Sequence, residues 1–423
     1  MKRIVIIGGT SPSTPALFSY LSAIADLPRL EIVLLARSCA ELGLVERACS
    51  IIAKSSMVNV VAVSLADRRW AKSLMDADVI LLQARIGGYE GRQYDETFPL
   101  TFDVCGDQDL GPGSFANAWR SWGHLKLFFE QAAVHAPRAI FIVLSSPVSL
   151  LVRLGQRLVP TLNIMGICEL PWSSLKRICS ASEVPSLVDY KYLGIHHFGW
   201  FYQLRARNRD LIREYGGAVS MSPEFPPAAL VRRFGAIPTP YARLHFESKA
   251  VIAQQKEHPG SRARYLREFR RRALSVFELG TVEEIKAVLK ERPSPWYSDA
   301  VGPFLQAAFG ATTSVPLFLS RRNGSAALGF ETDEILELAY EFHHGELRPV
   351  HNLESAPSII IEALRPFLDA DRLAAEAIWQ NNPSLIRDAL RIHPWTADRP
   401  DLYSLLAQKI TESPHPERFS SKV

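Results

Sequence analysis

The residues that most directly suggest chemistry stand near the amino terminus. Gly8-Gly9-Thr10-Ser11-Pro12-Ser13-Thr14 joins an apolar run, Ile4 to Gly9, to a helical stretch. Glycines at such a turn let the backbone approach a pyrophosphate, and the amides of the following helix attract its charge. Gly8, Gly9, Thr10, Ser11 and Thr14 are therefore candidate dinucleotide contacts. The turn departs from G-x-G-x-x-G, with hydroxyl residues where glycine is usual, so an ordinary strand-to-helix turn is the competing reading. The next strand ends Leu35-Ala36-Arg37-Ser38, without the carboxylate that commonly holds the adenosine ribose hydroxyls. Arg37 with Ser38 suits a 2′-phosphate, which leaves NAD and NADP both open. A solvated surface arginine is the alternative.

These residues need elements to hold them. Ile4 to Gly9 reads as a buried parallel strand, and Pro15 to Ala25 as a helix with Thr14 as N-cap and Pro15 at its first position. Glu31–Leu35, Val58–Val63, Val79–Gln83 and Ala139–Leu144 read as further strands, with a helix over Ala40–Ala53. Strands alternating with helices predict an α/β fold with a doubly wound parallel sheet. The pattern changes near Cys168. Strand and helix pieces mix from Tyr190 to Leu244, a basic helix covers Arg262–Phe277, and one strand-like run precedes helices after Thr332. The polar tail from Ser413 to Val423 is expected to be loose.

The chain has 423 residues, 47% hydrophobic and 22% charged, enough for a sizeable core. A net charge of +4, from 48 basic and 44 acidic residues, is too small to argue for a nucleic-acid or membrane partner. No apolar run reaches the ~18–20 residues of a membrane span. Five irregularly spaced cysteines and a start, Met1-Lys2-Arg3, that runs straight into a strand predict a reducing cytoplasm.

Several short motifs, in order, resemble those of family 4 glycoside hydrolases. They are Arg85-Ile86-Gly87-Gly88-Tyr89-Glu90-Gly91-Arg92, Asp95-Glu96, Pro99-Leu100 and Gly111-Pro112-Gly113. Gly166-Ile167-Cys168-Glu169-Leu170-Pro171, Gly194-Ile195-His196-His197-Phe198-Gly199-Trp200, Ile237-Pro238 with Tyr241 and Arg243, and Trp296-Tyr297-Ser298 continue the match. The resemblance implies a Rossmann domain over 1–165 and an α+β catalytic and oligomerisation domain over 166–412, like that of lactate and malate dehydrogenases. It also implies a homodimer or homotetramer. Its chemistry is an exception to the usual carboxylate pair. NAD+ takes hydride from C3 of a sugar, a base removes the acidified C2 proton, the C1 substituent leaves, water adds, and the hydride returns. A divalent metal, usually Mn2+, polarises the C2 and C3 oxygens.

Carried over position by position, the resemblance makes Cys168 and His197 metal ligands and Tyr241 the C2 base. Glu169 is general acid to the leaving group or a further metal ligand. Ser145 contacts the cofactor, and Arg92, Ser146, His196 and Arg243 face the substrate. A phenol, with a pKa near ~10, needs a neighbouring cation to act at neutral pH, and Arg243 is close in sequence. In an extended segment His196 and His197 point opposite ways, so only one ring is expected to face Cys168. Each residue also has a plainer reading: a packed cysteine, a structural histidine pair, a packed tyrosine, a salt-bridged glutamate.

The departures from the family pattern gather at substrate-facing places. Asp107-Gln108-Asp109-Leu110 replaces Gln-Glu-Thr-Thr, Ser145-Ser146-Pro147 replaces Thr-Asn-Pro, Thr97 replaces a basic residue, and His196 replaces asparagine. The expected function is a 6-phospho-β-glucosidase-type enzyme acting on a sugar or sugar phosphate. The alternatives are a sugar 3-dehydrogenase or epimerase that leaves the glycosidic bond alone, and a non-catalytic nucleotide- or sugar-binding relative.

Overall fold

A computed structural model describes residues 1–53, 57–184, 189–217, 226–351 and 356–414. Among them thirteen strands form one sheet. In chain order they are β1 (Lys2–Ile7), β2 (Leu30–Ala36), β3 (Val58–Ser64), β4 (Val79–Leu82), β5 (Ile140–Val143), β6 (Asn163–Ile167) and β7 (Asp189–Ile195). β8 (Phe198–Ala206), β9 (Arg209–Asp210), β10 (Ile237–Pro238), β11 (Leu317–Arg322), β12 (Ile335–His343) and β13 (Glu346–Pro349) follow.

Strands β3-β2-β1-β4-β5-β6 lie side by side, all parallel. This is the doubly wound dinucleotide-binding order, whose switch point falls between β1 and β4. Its central strands are apolar throughout because helices cover both faces. Ile4, Ile6, Ile32 and Leu34 pack into the core on one side, and Val5, Ile7, Val33 and Leu35 into the core on the other. Beyond β6 the sheet turns antiparallel, through β11, β12, β7, β8 and β10. The antiparallel half thus continues the parallel half edge to edge, and β6 carries chain from one to the other. A cut after residue 165 falls inside β6.

Several local expectations are corrected. The first helix spans Thr14–Ser22 with Ser13, not Thr14, at the N-cap, and without a side-chain capping bond. Thr14 is instead fully buried, and its Oγ1 accepts from Gln83 Nε2 at 3.1 Å. The run after Thr332 is a hairpin, β12 and β13, because His344 and Gly345 both take positive φ (51° and 83°), which suits a two-residue turn. The tail is tied down at its start: Ser413 is buried, and its hydroxyl accepts from Arg120. Residues 415–423, the rest of the expected loose tail, lie outside the described residues. No helix among the described residues is long and apolar enough to cross a membrane.

Candidate active site

The carboxyl ends of β1, β4, β5 and β6 open onto one cavity of about 560 Å³. Gly8, Thr10 and Ser11 line it after β1, Arg37 after β2, Ser145 and Ser146 after β5, and Glu169 after β6. Gly8 has φ +93°, and a Cβ there would sit 2.7 Å from the Ala84 nitrogen, so glycine is needed for the chain to cross β4 this closely. Gly9 serves the opposite side: its Cβ would meet Leu34 at 2.7 Å, so it seats the turn on β2 rather than lining the cavity.

Distant residues fix this turn. Arg270 donates to the Thr10 carbonyl at 2.7 Å and pairs with Glu41 at 2.6 Å. Arg292 donates to Ser13 Oγ at 3.0 Å and lies over the Trp296 ring. Gln83 bridges Thr14 and the Tyr297 hydroxyl. The turn geometry, the helix N-terminus behind it and the arginines around it suit the pyrophosphate of a dinucleotide.

His196 and His197 line this cavity, and the buried Cys168 stands beside them. One ligand atom from each lies within 4.8 Å of the other two. Cys168 ends the β6 turn and is buried. Its thiol is pushed well above its ordinary pKa by burial first, then by Glu337 and Glu169. Burial and the neighbouring His196 bring His197 down to about 3, leaving a neutral imidazole. Behind the rings lie two buried carboxylates. Asp109 Oδ2 is 3.7 Å from His197 Nδ1, Asp109 Oδ1 is 3.9 Å from His196 Nε2, and Glu337 Oε1 is 3.4 Å from His196 Nδ1. Asp109 Oδ1, His196 Nδ1, His197 Nδ1 and Glu337 Oε1 are all buried without a hydrogen-bond partner. Such atoms are rare in folded proteins, and neutral imidazole beside a thiol is a donor set for a divalent cation.

The expectation that only one histidine faces Cys168 fails for a local reason. β7 ends at Ile195, and His197 takes φ +69° in the turn to β8. Strand alternation stops there, and the two rings stack with centroids 4.1 Å apart.

Tyr241 packs its ring 4.3 Å from that of His197. Burial first, then Asp107 and Asp109, push its phenol well above its ordinary pKa, and Arg92 opposes them. Arg92 is thus a cation beside Tyr241. Arg243 is half-exposed, pairs with Glu247 at 2.5 Å, and does not line the cavity. Arg92 does line it, with its Nε on Glu96 at 2.7 Å. Ser146 Oγ donates to Asp109 Oδ2 at 2.8 Å, and Ser145 Oγ to the Ala84 carbonyl at 2.8 Å. Burial raises the Glu169 carboxyl, so it holds a proton more tightly than an ordinary glutamate.

Sequence reasoning treated Asp109 only as a departure and did not find Glu337, Arg270 or Arg292. The last three come from segments 140 or more residues after the chemistry they serve or far from it in sequence, with no local motif to mark them; Glu337 and Tyr192 are 145 residues apart yet bonded at 2.7 Å.

Parallel order, phosphate-type turn and an adjoining Cys–His cluster define a Rossmann-type protein with a metal-competent centre beside its dinucleotide cleft. Comparison with known proteins agrees. The model of the family 4 glycosyl hydrolases matches residues 3–184, and that of the family 4 glycosyl hydrolase C-terminal domain matches residues 192–396. The chain belongs to glycosyl hydrolase family 4. It is 28% identical to a 6-phospho-alpha-glucosidase of Leptotrichia buccalis over 50% of this chain and 49% of that one. The chain thus spans about half the length of the first curated relatives it matches. It is 22% identical to a 6-phospho-beta-glucosidase of Thermotoga maritima over 96% of this chain and 97% of that one. The Thermotoga enzyme's structure with NAD and glucose-6-phosphate has a TM-score of 0.84 at 20% identity, covering 97% of this chain and 98% of that one. Malate dehydrogenase of Plasmodium falciparum shares the fold, with a TM-score of 0.54 at 12% identity over 91% of this chain and 100% of that one.

Proposed function

We propose that the chain is an NAD- and divalent metal-dependent glycosidase that opens its substrate by oxidation and elimination. The observation that carries this is the meeting of Cys168 and Tyr241 with His197, which lines a dinucleotide-sized cavity. A structure of the Thermotoga relative holds manganese, NAD+ and glucose-6-phosphate, which supports a dinucleotide, a divalent metal and a sugar phosphate here. NADP stays within the proposal because Arg37 stands where a carboxylate would select NAD.

A bound dinucleotide would supply reversible hydride acceptance, and a bound divalent metal would supply Lewis-acid polarisation of the sugar oxygens. The chain does the rest. Gly8, Thr10 and Ser11 offer backbone and hydroxyl groups to the pyrophosphate, and Ser145 contacts the cofactor beyond. Cys168 and His197 would hold the metal. Tyr241 removes the C2 proton through its phenol oxygen; Arg92 and the cation favour the phenolate that this needs. Glu169, whose carboxyl burial raises above its ordinary pKa, gives a proton to the departing C1 oxygen. Arg92, Ser146 and His196 face the sugar, with Arg243 at greater remove. The division into a dinucleotide half and a catalytic half, and assembly as a homodimer or homotetramer, belong to the same proposal.

The test is a panel of aryl glycosides, with and without 6-phosphate, incubated with the protein, NAD+ and Mn2+. Aglycone release without net NADH supports the reading. Net NADH without release replaces it with a sugar 3-dehydrogenase. Cofactor binding without turnover replaces it with a binding relative.

A further inference from the structure

We propose that His196 is a third protein ligand of the metal centre, giving a Cys168–His196–His197 set that favours a thiophilic, imidazole-seeking ion over manganese. The inference rests on the metal reading above. It reassigns His196 from substrate to metal.

Three observations carry it. The first is position. The left-handed turn at His197 brings both rings to the side of Cys168, and a ligand atom of His196 lies within the same 4.8 Å as those of the other two residues. The second is orientation. A ligating histidine commonly hands its other ring nitrogen to a carboxylate, which fixes the ring. Glu337 Oε1 stands 3.4 Å from His196 Nδ1, and Glu337 is itself fully buried and held by the Tyr192 hydroxyl at 2.7 Å. His196 Nε2 then turns to the side where Asp109 and His197 lie. The third is charge. Asp109 is a buried carboxylate whose Oδ1 lacks a hydrogen-bond partner. Buried charges of this kind are paired or serve a metal.

Two of the departures from the family pattern face each other here, since His196 replaces asparagine and Asp109 falls in the replaced Gln-Glu-Thr-Thr run. One thiolate and two imidazoles form a soft, nitrogen-rich set, whereas carboxylate, carbonyl and water ligands suit manganese. Three protein ligands leave at least one position open for a sugar oxygen, as in catalytic zinc sites.

Cobalt(II) is the probe, because its visible bands report coordination directly. Metal-free full-length protein is titrated with Co2+ and with Mn2+, as wild type, His196→Asn and Cys168→Ser, with dinucleotide binding as the check on folding. Wild type is expected to show a thiolate-to-cobalt band and intense visible bands of low coordination number. His196→Asn should keep the thiolate band, lose visible intensity, and bind Co2+ at least ~10-fold more weakly, the floor set by even indirect metal contacts. Its preference for Co2+ over Mn2+ should fall by a similar factor. If His196→Asn leaves spectrum and affinity within about twofold while Cys168→Ser removes the thiolate band, the third ligand is refuted and the Cys168–His197 site stands. If neither variant alters the bands, both readings fall. Where His196→Asn does not bind dinucleotide, His196→Gln takes its place and is judged by the same outcomes.

Discussion

His196 and His197 stack ring on ring, centroids 4.1 Å apart and planes inclined by 25°, although they are adjacent in the chain. Neighbours in a strand point to opposite faces. The pair escapes that rule because His197 sits at φ +69°, a region histidine enters more readily than most residues but at a cost. The turn thus trades local stability for two imidazoles on one side of Cys168.

That cost should be measurable in metal-free protein. A β-branched residue fits the left-handed region worst and asparagine fits it well. His197→Val is expected to lower unfolding stability by about 1–2 kcal/mol relative to His197→Asn. Urea unfolding of both variants reads this directly. Equal stabilities would mean that the turn relaxes on substitution.

Arg120 crosses the wall of the cleft, only 2% exposed, with a two-pronged pairing to Asp95 and a further bond to the Ile86 carbonyl at 3.3 Å. Removing one partner leaves a buried, uncompensated charge. Asp95→Ala should cost about 3–5 kcal/mol, and Arg120→Met on top of it should restore most of that loss. A double-mutant cycle by denaturant unfolding checks it; independent, additive losses would contradict the pairing.

Asp371 provides a pH signature. Burial pushes its carboxyl up to about 7, against the pull of Arg153. Its folded pKa exceeds the ordinary value of 3.8. Its contribution is therefore fully present below pH ~4 and is lost as pH rises through 7. Asp371→Asn removes the cost of ionisation, so the variant should gain on wild type by an amount of order 1 kcal/mol between pH 5 and pH 8. Unfolding midpoints at the two pH values decide; a gap that shrinks with rising pH has the wrong sign.

Much of this architecture was legible in the sequence because it is locally encoded. The apolar strands β1, β2 and β4 and the glycines at the first turn carry their signals within a few residues. Cys168, His197 and Tyr241 were found through short motifs in order. The rest needed the fold. Thr14 looked like a cap but is drawn inward by Gln83, a partner 69 residues away. Arg243 was marked beside Tyr241 by spacing, whereas Arg92, on a different helix, needed the fold to bring its charge there. Glu337 carries no motif, and only the pairing of β12 with β7, Glu337 opposite Gly194, brings it beneath His196.

Tyr241→Phe separates chemistry from binding. The ring and its contact with His197 survive, and only the phenol oxygen is lost. Turnover should fall ~10²–10⁴-fold, the range for a lost proton-transfer group, with dinucleotide affinity unchanged. Steady-state kinetics with a parallel cofactor titration reads both. A mere rise in KM at constant kcat would place Tyr241 in binding instead.

The central claim is that the sugar loses its C2 proton to Tyr241 before the glycosidic bond breaks and that no net redox occurs. Turnover of an aryl glycoside substrate in D2O, with NAD+ and metal, tests it most directly. The account predicts a released sugar carrying deuterium at C2, with no reduced cofactor left at the end. Release of a sugar that keeps its original hydrogen at C2 would contradict it.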